Sequence, residues 1–270
     1  MIKAIFFDLD GTLLDSNKRI SKSSVEYLNK CKEKNIKLFI ATARLPDCTD
    51  RLNFSDEEKE LFDGGVFCNG AVVIVGDKSF CHCIDHNVVS SIINAVKKYP
   101  DLFLAVQKKG NVHAFNKPLP DDERTLWGIS KENCFSTENC SIVDVIKIMI
   151  FDGGYYTELK KLSDEVINNV SKTCGKDAGF YLTDEGKVIQ ISGCGISKYQ
   201  GVEEIRKTLM YDKSECVVFG DDYNDVEMLS NYENSYAMGN SPKEIKNVSA
   251  YITDDNDSDG IANALKRFVK

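Results

Sequence analysis

The seven residues FFDLDGT, at positions 6–12, end an apolar run at the start of the chain. A short apolar run of this kind predicts a buried strand. Residues two apart in a strand point to the same side, so Asp8 and Asp10 are expected to share a face, where their charges repel unless a cation or a proton lies between them. Gly11 allows the chain to turn away at once, and Thr12 offers a hydroxyl to a carboxylate. The pattern favours a divalent metal site, although a strand followed by an Asp-Gly hairpin turn has the same residues.

A second apolar run ends in acids far downstream, in VVFGDDYND at residues 217–225. In open parallel sheets, ligands bind at the carboxyl ends of the strands. Two strand ends of this kind predict that Asp8, Asp10, Asp221 and Asp225 converge on one edge of the sheet. Their hard oxygen ligands suit Mg²⁺. An aspartate beside Mg²⁺ acts either as a ligand or as a nucleophile on phosphorus through an aspartyl-phosphate, and the residues alone leave both roles open.

Composition and charge restrict the class of protein. The 270 residues are 42% hydrophobic and 28% charged, which is typical of a soluble globular protein of about two domains. No segment approaches the ~18 apolar residues of a membrane span, and the first apolar run, cut by Asp8 and Asp10, does not predict a signal peptide. The net charge of −8 and the pI near 5.1 argue against nucleic acid as a partner. We therefore expect no membrane or nucleic-acid partner.

The ten cysteines are interpreted as reduced thiols of a cytoplasmic protein, because a disulfide framework is typical of short secreted chains. Cys81, His82, Cys83 and His86 have the residue types of a soft metal site. However, no second cysteine pair lies at zinc-finger spacing, and the role of this cluster stays open.

The next segment predicts a helix over residues 21–34 and a strand over residues 36–41. A strand, a helix and a strand within about forty residues form a right-handed parallel unit, so the second strand should end beside the first. It ends in Thr42, Ala43 and Arg44. A hydroxyl, a backbone N–H and a guanidinium suit an anion such as phosphate, although a solvated arginine is the commoner explanation of an isolated Thr-X-Arg.

The pattern changes in the middle of the chain, where hairpins alternate with helices. Residues 82–191 are interpreted as an inserted α+β domain, and residues 1–81 with 192–270 as a Rossmann-like parallel-sheet core, which makes the fold α/β. The glycines of residues 192–195 suit a hinge. Within the insert the sequence predicts strands over 102–106, 112–115, 143–151, 179–183 and 187–191 and a helix over 157–170.

A lysine, Lys198, follows this hinge at the start of a predicted helix. A cation in the first turn is disfavoured by the helix dipole. Its presence indicates either an anion nearby or a solvated side chain, and the sequence leaves both interpretations open.

These residues resemble the four motifs of the haloacid dehalogenase superfamily, in the same order. The motifs are DLDGT at residues 8–12, Thr42 with Arg44, Lys198, and GDDYND at residues 220–225. The insert resembles the type IIB cap of the Cof-like phosphatase branch, and the likeness covers the whole chain. Two departures are Ala43, where the branch usually has glycine, and Tyr199, where it often has glycine. Ala43 keeps its N–H, so phosphate binding should survive, whereas Tyr199 alters the pocket wall.

The resemblance implies a Mg²⁺-dependent hydrolase of small phosphorylated metabolites, such as sugar phosphates or phosphorylated cofactors. It implies that Asp8 is the nucleophile and that Asp10 moves protons to the leaving group and from water. The metal would be held by Asp8, the backbone carbonyl of Asp10 and Asp221, with Asp225 orienting that shell. Arg44 is a candidate for substrate contact. The phosphate would be bound by the N–H groups of Leu9 and Ala43 and by the side chains of Thr42, Lys198 and Asn224.

Two other functions stay open on the same scaffold: a sugar phosphomutase, and a non-catalytic metabolite-binding regulator. A dehalogenase is disfavoured, because a carbon–halogen bond needs neither the proton donor at Asp10 nor a metal. Residues of the insert that would select the leaving group include Trp127, His113, Arg124 and Lys187 as candidates. We expect a monomer, because the cap would already cover the site.

Overall fold

The computed structural model describes residues 1–153 and 159–269. The strands are β1 (Ala4–Phe7), β2 (Lys37–Ala41), β3 (Gly64–Phe67), β4 (Val72–Val75), β5 (Lys78–Cys81), β6 (Leu102–Lys108), β7 (Val112–Phe115), β8 (Cys134–Ser136), β9 (Val145–Asp152), β10 (Ala178–Thr183), β11 (Val188–Gly193), β12 (Cys216–Gly220), β13 (Ser235–Ala237) and β14 (Tyr251–Ile252). The helices are α1 (Lys22–Glu33), α2 (Cys48–Arg51), α3 (Asp56–Glu60), α4 (His86–Val96), α5 (Asp121–Leu126), α6 (Asp164–Cys174), α7 (Lys198–Thr208), α8 (Val226–Asn231), α9 (Lys243–Val248) and α10 (Gly260–Leu265).

The chain divides into two compact units. The first, here called the core unit, comprises Met1–Phe80 and Ser197–Lys270, and the second, the inserted unit, comprises Cys81–Ile196. Among the described residues, no helix combines the length and the apolar character needed to span a membrane.

The sheet of the core unit has the strand order β14-β13-β12-β1-β2-β3-β4-β5. The pairs from β14 through β3 are parallel, and β3 pairs with β4 in antiparallel orientation. This confirms the predicted α/β core. Strand β1 lies between β2 and β12, with Phe7 opposite Ile40 on one side and Phe219 on the other. The motifs that follow these three strands therefore start from one edge of the sheet.

Aromatic side chains fill both faces of the central strands of the core unit. Phe6 stacks on Phe39 with ring centroids 5.1 Å apart, and Phe7 stacks on Phe219 at 5.2 Å. All four are fully buried. At about 1.5–3 kcal/mol for each large apolar side chain removed from water, they are a major source of stability for the strands that carry the motifs.

The predicted first helix is confirmed as α1. Ser21 is its N-cap, and its hydroxyl accepts a hydrogen bond from the N–H of Ser24 at 3.2 Å. Lys30 and Lys32 lie in the last turn, where a positive charge is favourable to the helix dipole.

The inserted unit is an α+β fold, as predicted. Its sheet has the strand order β10-β11-β9-β6-β7-β8. Ile92 of α4 and Val170 of α6 belong to one hydrophobic cluster with Ile148, Ile150 and Ile189 of the sheet. A second cluster contains Phe115, Trp127 and Phe151. Each cluster is formed within this unit.

The helix predicted over residues 157–170 is displaced in the structure. Residues 157 and 158 lie outside the described residues, and α6 runs from Asp164 to Cys174. Ser163 sets the start, because its hydroxyl accepts a hydrogen bond from the N–H of Val166. Gly175, at φ 56°, ends the helix.

Glu203 of α7 forms an ion pair with Arg206 of the same helix and a hydrogen bond with Tyr232, which follows α8 in the core unit. Glu203 accepts hydrogen bonds from Nε and Nη2 of Arg206 at 2.9 and 2.8 Å, and from the hydroxyl of Tyr232 at 2.7 Å. Burial acts to raise the pKa of Glu203, but Arg206 and Tyr232 outweigh it and lower that pKa below the ordinary 4.5. The carboxylate is thus stabilised in its ionised form.

We predict that Glu203→Gln lowers the free energy of unfolding by about 1.5–3 kcal/mol at neutral pH, because it removes charge-assisted hydrogen bonds. Since the folded pKa is depressed, this stabilisation is present above pH 4.5 and is lost as the pH falls through the folded pKa. Urea unfolding at about pH 7 and about pH 3 measures the difference. Exposed Glu233 supplies the control, Glu233→Gln, which should have little effect. A deficit for Glu203→Gln that is equal at both pH values would contradict the prediction.

Candidate active site

Three carboxylates meet at the carboxyl ends of β1 and β12. Asp8 follows β1, Asp221 follows β12, and Asp225 ends the turn Tyr223–Asp225. One oxygen from each lies within 4.8 Å of the other two. Asp8 is 5% exposed and Asp225 is fully buried. The parallel pairing of β1 with β12 brings together acids more than two hundred residues apart in the sequence.

Lys198 lies between two of these acids. Its Nζ is 2.6 Å from Oδ1 of Asp8 and 2.8 Å from Oδ1 of Asp225. The side chain is 1% exposed. Burial acts to lower the pKa of Lys198, but Asp225 and Asp8 outweigh it and raise that pKa, so the ammonium group stays protonated. Of the two sequence interpretations of Lys198, the structure thus supports the nearby anion.

One ammonium group does not balance three carboxylates. Burial is the largest influence on Asp8 and raises its pKa; Lys198 opposes this, and Asp225 and Asp221 add to it. Burial, followed by repulsion from Asp225, raises the pKa of Asp221 to about 6. These raised pKa values mean that the site favours additional positive charge, and the all-oxygen donor set suits a hard divalent cation.

The backbone around Asp221 and Asp225 fixes the direction of both side chains. Oδ2 of Asp225 accepts hydrogen bonds from the N–H groups of Asp221 and Asp222 at 3.0 and 3.2 Å. Thr12 donates its hydroxyl to Oδ1 of Asp221 at 2.8 Å. Gly11 has φ +80°, and a Cβ there would overlap the Asp221 carboxylate, so both the turn and the space require glycine. The structure thus has the turn predicted at Gly11 and the predicted hydrogen bond from the Thr12 hydroxyl to a carboxylate.

Asp10 differs from the other three predicted acids. Among the described residues, its carboxylate does not belong to the group formed by Asp8, Asp221 and Asp225. Instead, Oδ2 accepts from Nε of Arg44 at 2.6 Å, and Oδ1 accepts from Nη2 of Arg44 at 2.8 Å and from Nζ of Lys18 at 2.7 Å. The side chain of Asp10 therefore forms ion pairs instead of joining the acidic group, and the convergence of all four acids on one edge of the sheet stays a prediction for Asp10.

The ion pairs determine the charge of Asp10. Partial burial acts to raise its pKa, but the hydrogen bonds from Arg44 and Lys18 outweigh burial and lower that pKa to about 2. Asp8 and Asp10, two residues apart, therefore have pKa values shifted in opposite directions. Such a difference between neighbouring carboxyl groups is typical of sites where they have different chemical roles.

Other predicted site residues lie at the ends of the same strands. Thr42 directly follows β2 and is 1% exposed, and its hydroxyl accepts the N–H of Arg44 at 3.1 Å. Asn224 donates Nδ2 to Oδ1 of Asn69 at 3.2 Å. Leu9 is fully buried, and Ala43 lies between Thr42 and Arg44.

Three residues near the acids were not identified from the sequence. Lys18 pairs with Asp10, and Asn69 pairs with Asn224. Asn240 donates Nδ2 to the carbonyl of Gly11 at 2.9 Å and lies 3.4 Å from Oδ2 of Asp221. Asn69 and Asn240 come within three residues of the ends of β3 and β13, which belong to the same sheet. Their position just after a strand of this sheet is the sequence signal that could have identified Asn69 and Asn240 as site residues.

The remaining candidates from the sequence belong to the inserted unit. The Sγ atoms of Cys81 and Cys83 are 3.8 Å apart, but within the described ranges Asp8, Asp221 and Asp225 are the one group of three metal-ligand side chains whose ligand atoms lie within 4.8 Å of one another, and residues 81–86 do not form another. His113 and Trp127 are buried inside the inserted unit with their rings in edge contact at 6.2 Å. Arg124 lies 3.2 Å from Asp121, and Lys187 lies 3.6 Å from Glu185.

Comparisons with known proteins identify relatives over nearly the whole chain. The family model for haloacid dehalogenase-like hydrolases matches residues 5–265. The chain is 23% identical over 270 residues to a 5-amino-6-(5-phospho-D-ribitylamino)uracil phosphatase, YcsE, of Bacillus subtilis. This match covers 99% of the present chain and 96% of that protein. It is 26% identical over 275 residues to the chloroplastic endoribonuclease YBEY of Arabidopsis thaliana, but spans only 46% of that protein's length.

A solved structure described as the HAD subclass IIB sugar phosphatase BT4131 superposes with a TM-score of 0.79 at 25% identity, covering 98% of each chain. The protein TM0651 of Thermotoga maritima superposes with a TM-score of 0.80 at 22% identity, and the match covers 99% of this chain and 97% of that one. These similarities extend through both units, and the type IIB resemblance is thereby confirmed.

We predict that Mg²⁺ raises the melting temperature of the wild-type protein, because an ion bound by the folded acids stabilises the folded state by about 2.7 kcal/mol at a hundred times its Kd. Asp221→Asn should lose most of this gain. Without metal, the same variant should melt at or above the wild-type temperature, since it removes one repelling charge.

Asp222→Asn is the matched control, because Asp222 lies on the same loop, is exposed and is not in the acidic group. Thermal unfolding with and without MgCl₂ measures the effect. An equal response to Mg²⁺ in the wild type and in Asp221→Asn would show that these acids are not the binding site.

Proposed function

This chain belongs to the haloacid dehalogenase-like hydrolase family, and we propose that it is a Mg²⁺-dependent phosphatase of small phosphorylated metabolites. One observation carries this proposal: ligand oxygens of Asp8, Asp221 and Asp225 lie within 4.8 Å of one another, with Lys198 between Asp8 and Asp225, while Asp10, two residues from Asp8, is paired with Arg44. A nucleophile, a cation site and a separate proton carrier are the parts that phosphoryl transfer through a carboxylate needs.

In the proposed reaction, Asp8 attacks the phosphorus of the substrate, the bond from phosphorus to the leaving oxygen breaks, and an aspartyl-phosphate forms on Asp8. Asp10 gives a proton to the leaving alkoxide. Asp10 then accepts a proton from water, the water oxygen attacks phosphorus, and Asp8 and inorganic phosphate are released.

We propose that Asp8, Asp221 and the carbonyl of Asp10 hold Mg²⁺ and that Asp225 orients this shell. The observation that supports the fit is the raised pKa of Asp8 and Asp221, which reflects uncompensated negative charge among oxygen donors. When bound, the cation would reduce the repulsion between the carboxylates and the phosphate oxygens.

Arg44 has a defined place in this proposal. In the structure it holds Asp10 as a carboxylate, which is the form that accepts a proton from water. For the first step Asp10 must carry a proton, so the pair with Arg44 must open. We propose that substrate oxygens draw Arg44 away, which makes Arg44 a substrate contact as well as a partner of Asp10.

Phosphate oxygens would be bound by Thr42, Asn224, Lys198 and the N–H groups of Leu9 and Ala43. Thr42 and Asn224 follow strands β2 and β12 of the same sheet, which supports a common site. Residues 1–81 and 192–270 would form the catalytic core, and residues 82–191 would select the leaving group. The relatives named as a ribitylaminouracil phosphatase and a sugar phosphatase support a polyhydroxylated phosphate monoester as substrate.

We predict that Asp8→Asn abolishes phosphate release from a generic aryl phosphate in the presence of Mg²⁺, because the amide cannot form the aspartyl-phosphate. Asp10→Asn should slow turnover by about 10²–10⁴-fold, the usual contribution of general acid–base catalysis. Asp77→Asn, in an exposed turn, is the control and should retain full activity. Substantial phosphate release by Asp8→Asn would refute the covalent route.

A second measurement tests the intermediate directly. Acid-quenched Asp10→Asn protein should carry a phosphoryl group on the peptide that contains Asp8, since the residue that activates water is missing. A panel of phosphorylated sugars, nucleotides and cofactors, assayed with Mg²⁺, identifies the substrate. Absence of phosphate release over the whole panel and from the aryl phosphate would contradict the proposed function.

A further inference from the structure

We propose that Cys81 and Cys83 form a reversible disulfide, which makes the segment from residue 81 to residue 83 an oxidation-sensitive modification site. Their Sγ atoms lie 3.8 Å apart. A disulfide bond is about 2.05 Å long. The two sulfurs must therefore approach each other by about 1.75 Å, through side-chain rotation and a small backbone adjustment. Residues two apart in an extended segment point to the same side, which explains why these two sulfurs lie close together.

The two thiols differ in accessibility. Cys83 is exposed, whereas Cys81 is partly buried at the end of β5. Burial, with a smaller effect of Cys83, raises the pKa of Cys81 to about 11, so Cys81 is largely protonated at neutral pH. An oxidant therefore reaches Cys83 first, and Cys81 is placed to react second.

A hydroperoxide is the oxidant that we infer. The Cys83 thiol loses its proton, the thiolate attacks one peroxide oxygen, and the O–O bond breaks to give a sulfenic acid and a hydroxide or alkoxide, which takes up the released proton as the first molecule of water or alcohol. The sulfur of Cys81 then attacks the sulfur of Cys83 as Cys81 loses its proton, the S–O bond breaks, and water leaves. Two thiols have lost two electrons and two protons, and the peroxide has been reduced.

Several other cysteines are poor sites for this reaction. Cys31, Cys48, Cys68, Cys174 and Cys216 are buried. Among the exposed cysteines, Cys194 donates its Sγ hydrogen to the carbonyl of Lys176 at 3.1 Å. Cys134 and Cys140 are partly buried, and Cys140 donates its Sγ hydrogen to the carbonyl of Ser141 at 3.6 Å. Cys81 is also partly buried, but its sulfur lies beside that of exposed Cys83, so the oxidation should be selective for this pair.

The bridge should be easily reduced, because it closes a very small ring. Disulfides that are strained or exposed have more oxidising potentials and are the labile, regulatory ones. A role as a permanent structural bond is therefore not expected.

Cys81 and Cys83 lie where the chain passes from the core unit into the inserted unit, so a bridge between them would affect this connection. Residues 81–83 begin the inserted unit, directly after the chain leaves the core unit at Phe80. The next residue, Ile84, donates its N–H to the carbonyl of Val145 at 2.7 Å, which attaches this segment to β9. A bridge between Cys81 and Cys83 would stiffen one of the two chain segments that connect the units.

The test uses the full-length protein treated with hydrogen peroxide. Free thiols are blocked with iodoacetamide, and the tryptic peptide of residues 79–97, which contains Cys81 and Cys83 as its two cysteines, is weighed. We expect this peptide to lose the mass of two hydrogens, to take up no iodoacetamide, and to regain two reactive thiols after dithiothreitol. Cys83→Ser should abolish the loss, and Cys194→Ser, which changes an exposed cysteine outside the pair, should leave it intact.

Two results would overturn the proposal: a peptide 79–97 that keeps two alkylated thiols while Cys194 is oxidised, or a bridge from Cys81 or Cys83 to a third cysteine. The mass measurement does not depend on the proposed phosphatase activity. Where that activity is measurable, peroxide should change the rate for the wild type and for Cys194→Ser, and dithiothreitol should restore it. Cys81→Ser and Cys83→Ser should not respond in this way.

Discussion

The buried ammonium group of Lys198, held between Asp8 and Asp225, is the interaction on which the site depends. It joins the end of β1, the start of α7 and the turn after β12. A buried ion pair is weak evidence for stability, because desolvation of the charges offsets their attraction. Three acids around one cation are better explained by function, since they leave negative charge that a metal ion would neutralise. The stacked phenylalanines of β1, β2 and β12 stabilise the strands that carry these acids, which offsets the repulsion among the carboxylates.

A short turn gives two nearby aspartates different environments. Asp8 is buried among acids, whereas Asp10 is partly exposed and paired with Arg44 and Lys18. The positive φ of Gly11 takes the chain away from β1 directly after Asp10 and leaves room for the Asp221 carboxylate. Local backbone geometry thus separates a candidate nucleophile from a candidate proton carrier, which is the separation that the proposed reaction requires.

Much of the fold and of the site could be predicted from the sequence, for physical reasons. Apolar runs that end in acids mark buried parallel strands, so the meeting of Asp8 with Asp221 followed from sheet geometry. The pairing of Asp10 did not, because Lys18 lies in a loop without periodic pattern. Helix α5 was not predicted, although the three acids in its first turn were a helix-start signal. The insert could be classed as α+β, but the sequence did not show which of its side chains are buried, and packing removes the candidates His113 and Trp127 from the surface.

The central claim is that one divalent cation binds beside Asp8, where a phosphoryl group is transferred. Crystals grown with Mn²⁺ and phosphate, measured at the manganese absorption edge, test this most directly, because anomalous scattering locates the ion independently of the refined side chains. The account predicts one strong anomalous peak contacted by oxygens of Asp8 and Asp221, with the phosphate next to Asp8. A peak at any other group of residues, or phosphate bound away from Asp8 with no ion at these acids, would contradict it.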